Sequence, residues 1–386
     1  LLPCPDDGSC KLAQCFCSFA GTEPPGSLNV ANVPQMVILS FDDAITDRTI
    51  NVYKSLFNGK HRNPNGCAIK GTFFISHEWN NYDQTQWLYG QGHEIALNSI
   101  THETLANKSK ERWRHEMIGL KESLEAFSYV DKESIKGVRA PQLLIGGVFK
   151  SESTFFIMVR RNTSFSGDAQ FEMMEEEKLW YDNSMPVNEG PLWPQTLDHS
   201  LPWDCSGQNC PRRPHKGIWM IPLQLLQANN GIWYNTAKAA LKVVKSFQPT
   251  DSRSSVVQFL RNNFYRNYNT NRAPFILTAD TDFLTYLPDN GVVSAINDWL
   301  TEILGRKDVY VVTAKQVISW MQTPVALSEA SKFKPWQCER RLKDHMQPCE
   351  TPSICTYPSS KTIRAHSFRV CGNCPRSYPW LENPLG

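Results

Sequence analysis

Asp42 and Asp43 stand side by side at the end of the short apolar run Met36-Val37-Ile38-Leu39, and theirs is the first placement in the chain that suggests chemistry. Pro34 ahead of the run and the acids behind it favour a strand that runs out at a rim. Two carboxylates in one neighbourhood of low dielectric cannot both ionise freely without a cation, so the pair predicts a metal or one raised pKa. The same two acids would also serve to open a turn and cap the helix suggested by Thr46, Ile50, Tyr53 and Phe57. Asn98 and His102 lie four apart after His93-Glu94-Ile95-Ala96-Leu97, a spacing that faces one way on a helical turn. With Asp43 they would give three ligands and leave a position open for water, the pattern of a catalytic metal site. Arg139, in Arg139-Ala140-Pro141, follows another short strand, and its planar fork of donors suits holding Asp42 in place.

These residues need a scaffold that brings strand ends together. Apolar runs at Met36 to Leu39, Thr72 to Ile75, Glu94 to Leu97 and Gly137 to Val138 alternate with stretches of helical spacing. The clearest of those stretches is Ser109 to Phe127, with Met117, Leu120, Leu124 and Phe127 at steps of three and four. Between Asn162 and Pro249 the rhythm gives way to clustered prolines and tryptophans, the composition of surface insertions that wall a cleft. It resumes with a helix from Asp251 to Tyr265, a strand from Phe275 to Leu277, a helix from Gly291 to Leu304, a strand from Val309 to Val312 and a helix from Ala314 to Met321. Alternating strand and helix predict an α/β fold with a parallel sheet, open or closed as a barrel.

Forty basic against thirty-eight acidic residues in 386 leave a net charge of +2, which excludes a nucleic-acid tract and a polybasic membrane anchor. No apolar run approaches the roughly 20 residues of a membrane span, and Leu1-Leu2-Pro3-Cys4 reads as a processed N-terminus rather than a signal peptide. The twelve cysteines are even in number and crowd into the two ends, the usage of an oxidising, extracellular compartment. They predict no free thiol, a bridge between Cys205 and Cys210, and no zinc cluster, because the short Cys spacings lack partner pairs. The sequons Asn107-Lys108-Ser109 and Asn162-Thr163-Ser164 agree with a secreted glycoprotein. The domain expectation is a Cys-rich arm over residues 1–30, a central domain over 31–327, and a Cys-rich extension over 328–386 packed on it.

Ser40-Phe41-Asp42-Asp43, Asn98-Ser99-Ile100-Thr101-His102 and Arg139-Ala140-Pro141-Gln142 together resemble the first three motifs of the family 4 carbohydrate esterases, the polysaccharide deacetylases. Gly92-His93-Glu94-Ile95, Tyr181-Asp182-Asn183-Ser184-Met185 and Pro191-Leu192-Trp193-Pro194-Gln195-Thr196-Leu197-Asp198 are similar to the arthropod chitin deacetylases within that family, of the short gut-associated group. The resemblance implies a distorted barrel of about seven strands with its site at the strands' C-terminal rim. It also implies a secreted hydrolase, monomeric and associated with an extracellular chitin matrix such as that lining a gut. Its activity would be metal-dependent N-deacetylation of chitin or N-acetylglucosamine oligomers, with one Zn²⁺.

Carried over by position, Asp42 is the general base, Asp43, Asn98 and His102 hold the metal, and Arg139 positions Asp42. Asp182, Trp193 and Pro141 are expected to line the substrate cleft. Two positions depart from the family pattern: Asn98 stands where the family has a His ligand, and Asp280 stands where a late motif supplies another His. Asp280, with Asp282 as the alternative, then becomes the acid that protonates the leaving amine, a task better matched to a His near about 6.5 than to an Asp near about 3.9. Trp79, Trp193, Trp203 and Trp233 are the tryptophans available to stack on sugars, with one or two expected to do so. Other readings are a catalytically weak chitin-binding protein, a disulfide-rich lectin, and a glycosidase using Asp42 and Asp280 as its two carboxyls.

Overall fold

The run Met36 to Leu39 forms a strand whose side chains are all withdrawn from water, at 0% to 1% exposure, because both faces of the strand are covered. Strand β1 (Gln35–Asp42) sends Val37, Leu39 and Phe41 into a core shared with the surrounding helices. Met36 and Ile38 go the other way, into a second core with Phe74, Ala96, Trp219 and Tyr310 inside the curl of the sheet. Successive side chains alternate across a strand, so Ser40 and Asp42 inherit the inner face. That parity decides what Asp42 meets.

The computed structural model describes residues 1–145, 167–188, 190–205, 210–234, 236, 237, 240, 252–338, 347–359 and 364–386. After β1 come β2 (Thr72–Ile75), β3 (Glu94–Leu97), β4 (Gly137–Val138), β5 (Tyr181–Asp182), β6 (Gln195–Thr196), β7 (Trp219–Met220), β8 (Phe275–Ala279) and β9 (Val309–Val311). The sheet runs β8-β1-β2-β3-β4-β5-β7-β6, with β9 also paired to β1. Every pairing is parallel except β6 with β7. The expected barrel of parallel strands is thus a curled sheet whose hydrogen-bonded path, among the described residues, ends at β8 and β6.

The helices read from the sequence are present, together with others the spacing did not mark. They include α1 (Asp47–Leu56), α2 (Tyr82–Gly90), α3 (Lys110–Ser128), α4 (Ala169–Glu176), α5 (Ser252–Asn269), α6 (Thr281–Leu284), α7 (Gly291–Leu304) and α8 (Ala314–Gln322). Ser109 caps α3 by accepting the Arg112 amide at 3.2 Å, which satisfies one of the donors a helix start leaves open. No helix among the described residues is long and apolar enough to cross a membrane. Asn107 is exposed just ahead of α3, whereas the sequon at Asn162 and the helix start at Asp251 lie outside the described residues.

All twelve cysteines are paired: 4–17, 10–15, 67–338, 205–210, 349–371 and 355–374. The N-terminal arm is sewn to the insertion by backbone bonds from Thr196 to Phe16 and from Trp193 to Gly21, at 2.8 and 2.7 Å. The C-terminal stretch folds as a hairpin of β10 (Ser353–Tyr357) and β11 (His366–Val370), and β11 packs on α2.

Candidate active site

Strand register gathers the predicted residues at one rim. Phe41 pairs with Ala279, so the next residues, Asp42 and Asp280, leave their strands side by side. Leu97 pairs with Val138, and Asn98 and Arg139 follow them in the same way. Asp42 and Asp280 line one cavity of about 60 Å³ whose other walls include Leu143, Leu223, Leu226, Ile276 and Phe283. It is a mostly apolar chamber with two carboxyls among its lining.

Arg139 is wholly buried and spends its whole fork on this rim. Nη1 donates to Asp42 Oδ1 at 2.6 Å, Nε to the Asn183 carbonyl at 2.9 Å, and Nη2 to Ser40 Oγ at 3.2 Å and to Asn183 Oδ1. Its guanidinium lies 4.0 Å over the Phe74 ring, so β1, β2 and the residue after β5 hold the one cation, and Ser40 Oγ in turn bonds Thr278 Oγ1 of β8 at 3.0 Å. A planar fork fixed at four points leaves Asp42 a single orientation.

Asp43 turns out of β1 with φ +77°. Its Oδ1 lies 3.2 Å from His102 Nε2, with the two side chains 40% and 38% exposed. Burial pushes the Asp43 pKa up, the Asp42 carboxylate pushes it further, and Asp280 and Asp282 add to this against the pull of His102. Negative charge is therefore in excess here. Asn98 Oδ1 is buried without a hydrogen-bond partner, although Asn98 itself is 2% exposed and anchored by its amide to the Ile75 carbonyl. Asp43 with three further acids acting on it, an orphaned amide oxygen and an imidazole make a donor set that fits a divalent cation. The one trio of His, Cys, Asp or Glu ligand atoms within 4.8 Å of one another among the described residues is Cys10, Cys15 and His199, whose two sulfurs are joined in a disulfide and hold no thiolate.

The turn from Asn98 to His102 is strained, with Ser99 at φ +84° and His102 at φ +55°. Glu116 of α3, fully buried, holds it. Its carboxylate accepts the amides of Ile100 and Thr101 at 3.0 and 2.9 Å and the Thr101 hydroxyl at 2.6 Å, and Arg112 balances the charge at 2.8 Å. The sequence reading missed Glu116, because a Glu on an amphipathic helix reads as solvated surface. It also missed Ser40, Thr278 and Asn183, whose parity with Asp42, or adjacency to Asp182, was the available signal.

Asp280 keeps its place beside Asp42, and its Oδ1 accepts the Phe283 amide at 2.7 Å as the cap of α6. Two cleft expectations need correction. Tyr181 faces the inner core, so its neighbour Asp182 points outward to the helix side, where it is wholly buried and bonded to Ser184 and Gln170. Burial raises its pKa to about 6. Trp193 is wholly buried with its ring stacked on Trp320 at 5.9 Å, a core residue with no face left for a sugar. Pro141 is also buried, and Leu143 is the residue of its turn that reaches the cavity. Trp203 is 7% exposed, which leaves Trp79 and Trp233 as the accessible tryptophans of the four, at 51% and 43%.

A curled parallel sheet carrying an Asp-Asp pair, a His and a buried Arg at one rim is the arrangement expected of a polysaccharide deacetylase. Residues 29–152 match the polysaccharide deacetylase family. Across its whole length the chain is 36% identical to chitin deacetylase 1 of Bombyx mori, covering 68% of that protein, and 32% identical to chitin deacetylase 8 of the same species, covering 93% of it. The chain belongs to the polysaccharide deacetylases, a family of hydrolases. Among solved structures it is similar to the chitin deacetylase of the fungal pathogen Colletotrichum lindemuthianum, at 13% identity and a TM-score of 0.40 over 77% of this chain and 92% of that one.

Proposed function

We propose that this chain is a metal-dependent deacetylase of chitin or chitin oligomers, which releases acetate and leaves glucosamine units. The observation that supports the reading most is the meeting of Asp42, fixed by Arg139 at 2.6 Å, with Asp43 and His102 at the same rim. Asp43, His102 and Asn98 would hold the cation, and zinc suits carboxylate and imidazole donors with one position left open. Such a cation supplies Lewis-acid polarisation of the acetyl carbonyl and makes water more acidic. Asp42, with Arg139 fixing its orientation, takes the proton of the attacking water. Asp280, in its protonated form, gives a proton to the leaving nitrogen. Leu143, Leu223 and Phe283 offer an apolar wall for the acetyl methyl group. The enzyme works as a monomer in the oxidising space outside the cell, where its six disulfides persist.

A second reading, a chitin-binding protein with weak or lost chemistry, draws support from Asn98 and Asp280. An amide oxygen is a poorer zinc ligand than imidazole, and a carboxyl already accepting a backbone amide is a reluctant proton donor. Product analysis after incubation with chitin oligomers and zinc separates the readings. Free acetate with chain length preserved supports the deacetylase, shortened chains indicate a glycosidase, and retention of the oligomers without either product indicates the binding protein.

A further inference from the structure

We propose that the C-terminal hairpin region carries a second sugar-binding groove, which takes N-acetylglucosamine units of the polymer beyond those held at Asp42; this rests on the chitin reading above. The groove is a cavity of about 580 Å³ whose lining includes the partly exposed rings of Tyr357 and Trp380, the mostly buried Tyr378, and the polar Arg376, Glu382 and Asn383. That volume lies within the usual range for small-molecule sites, roughly 300–1,000 Å³. A pyranose presents a flat C–H face and an equatorial rim of hydroxyls and amides. It therefore needs flat aromatic rings beside hydrogen-bonding side chains, and this groove offers both.

The groove is linked to the catalytic rim by packed side chains. Trp380 lies 5.7 Å from Tyr378, Tyr378 stacks on His366 at 4.3 Å, and His366 lies 5.0 Å from Trp79. Trp79 is half exposed, with its backbone at φ +69°, a conformation that a bulky residue keeps only when its surroundings impose it. Two residues before it, the His77 amide donates to the Ser99 carbonyl at 3.1 Å, inside the turn that carries Asn98 and His102. Packed rings and one backbone hydrogen bond thus connect the ligand turn to the groove.

The region is also rigid enough to be a site. Ser123 Oγ donates to the Pro384 carbonyl at 2.6 Å, His366 Nε2 bonds Glu78 at 2.9 Å, Tyr357 donates to the Pro375 carbonyl at 2.8 Å, and two disulfides close the hairpin. Groups held in advance lose little freedom on binding.

The test uses the full-length, zinc-supplied protein with the dimer and hexamer of N-acetylglucosamine and with insoluble chitin. Trp380→Ala removes a ring. The double variant Arg376→Ala/Glu382→Ala removes two exposed side chains and guards against misfolding of the first. The expected result in both is a rise of about five- to tenfold in the KM for the hexamer, a shift of less than about twofold for the dimer, and weaker retention on chitin. If both variants keep the wild-type ratio of hexamer to dimer KM while wild type releases acetate, the groove is refuted and the deacetylase stands. If wild type neither binds nor deacetylates either oligomer, the chitin reading fails and the groove falls with it.

Discussion

Removing the guanidinium of Arg139 should separate the roles assigned to the rim. In Arg139→Met the Asp42 carboxylate, 18% exposed, loses the partner at 2.6 Å, and Asn183 and Ser40 lose the donors that faced them. Breaking a buried ion pair from one side costs about 3–5 kcal/mol. Because Asp42 keeps some contact with water, a loss near the lower end, about 3 kcal/mol, is expected in urea unfolding. A positioned general base contributes about 10²–10⁴ in rate, so a carboxylate free to rotate should lower kcat about a hundredfold. Bound metal should stay, since Arg139 touches neither Asp43 nor His102 in any hydrogen bond or ion pair among the described residues. Arg139→Lys should recover part of the stability but little of the rate, because an ammonium cannot reach Asp42 and Asn183 in one plane. The decisive quantity is the double-mutant cycle with Asp42→Asn, where a coupling of at least about 1.5 kcal/mol is expected for groups in contact. A coupling below about 0.5 kcal/mol, or an Arg139→Met enzyme within twofold of wild-type rate, would refute the positioning role.

Substitutions at three other residues probe different parts of the account. Glu116→Ala should weaken zinc binding about tenfold or more, as loss of a group that orients ligands does, while Glu116→Gln keeps part of the hold on Ile100 and Thr101 and loses less; equal zinc affinity in both variants and wild type would deny Glu116 its part in the turn. The contribution of Asp182 to folding stability is greatest when it is protonated: its folded pKa of about 6 stands above the ordinary value, so the contribution is full below about pH 4 and is lost as pH rises through 6. That amounts to about 3 kcal/mol over the window, and the unfolding free energy of Asp182→Asn should lack this decline; parallel pH profiles would contradict it. If Asp280 protonates the amine, acetate release falls as pH rises through its pKa in the complex, and Asp280→His should move the optimum upward; an unmoved optimum assigns the acid elsewhere.

The strands that build the rim were legible because most of their side chains are buried, which makes them short, largely apolar runs. Met36 to Leu39, Thr72 to Ile75, Glu94 to Leu97 and Phe275 to Leu277 all lie inside observed strands. Tyr181–Asp182 and Trp219–Met220 were not read as strands, since two residues carry no period and lie in a stretch dominated by proline and tryptophan. Side-chain direction was the weaker point: a motif resemblance transfers residue identity, whereas Asp182 and Trp193 were placed by parity and by packing on Trp320. Glu116 was invisible because its partners are the amides of a turn 15 and 16 residues upstream. The disulfide from Cys67 to Cys338 spans 271 residues, and no local spacing marks such a pair.

The most direct measurement is the rate of acetate release from an N-acetylglucosamine oligomer by metal-stripped protein as zinc is returned. Asp43, His102 and Asn98 acting as one cation site beside Asp42 predict a negligible rate without metal and a rise that levels off at one equivalent. A rate that is the same with and without zinc, or no acetate at any zinc concentration or pH while the oligomer still binds, would contradict the account.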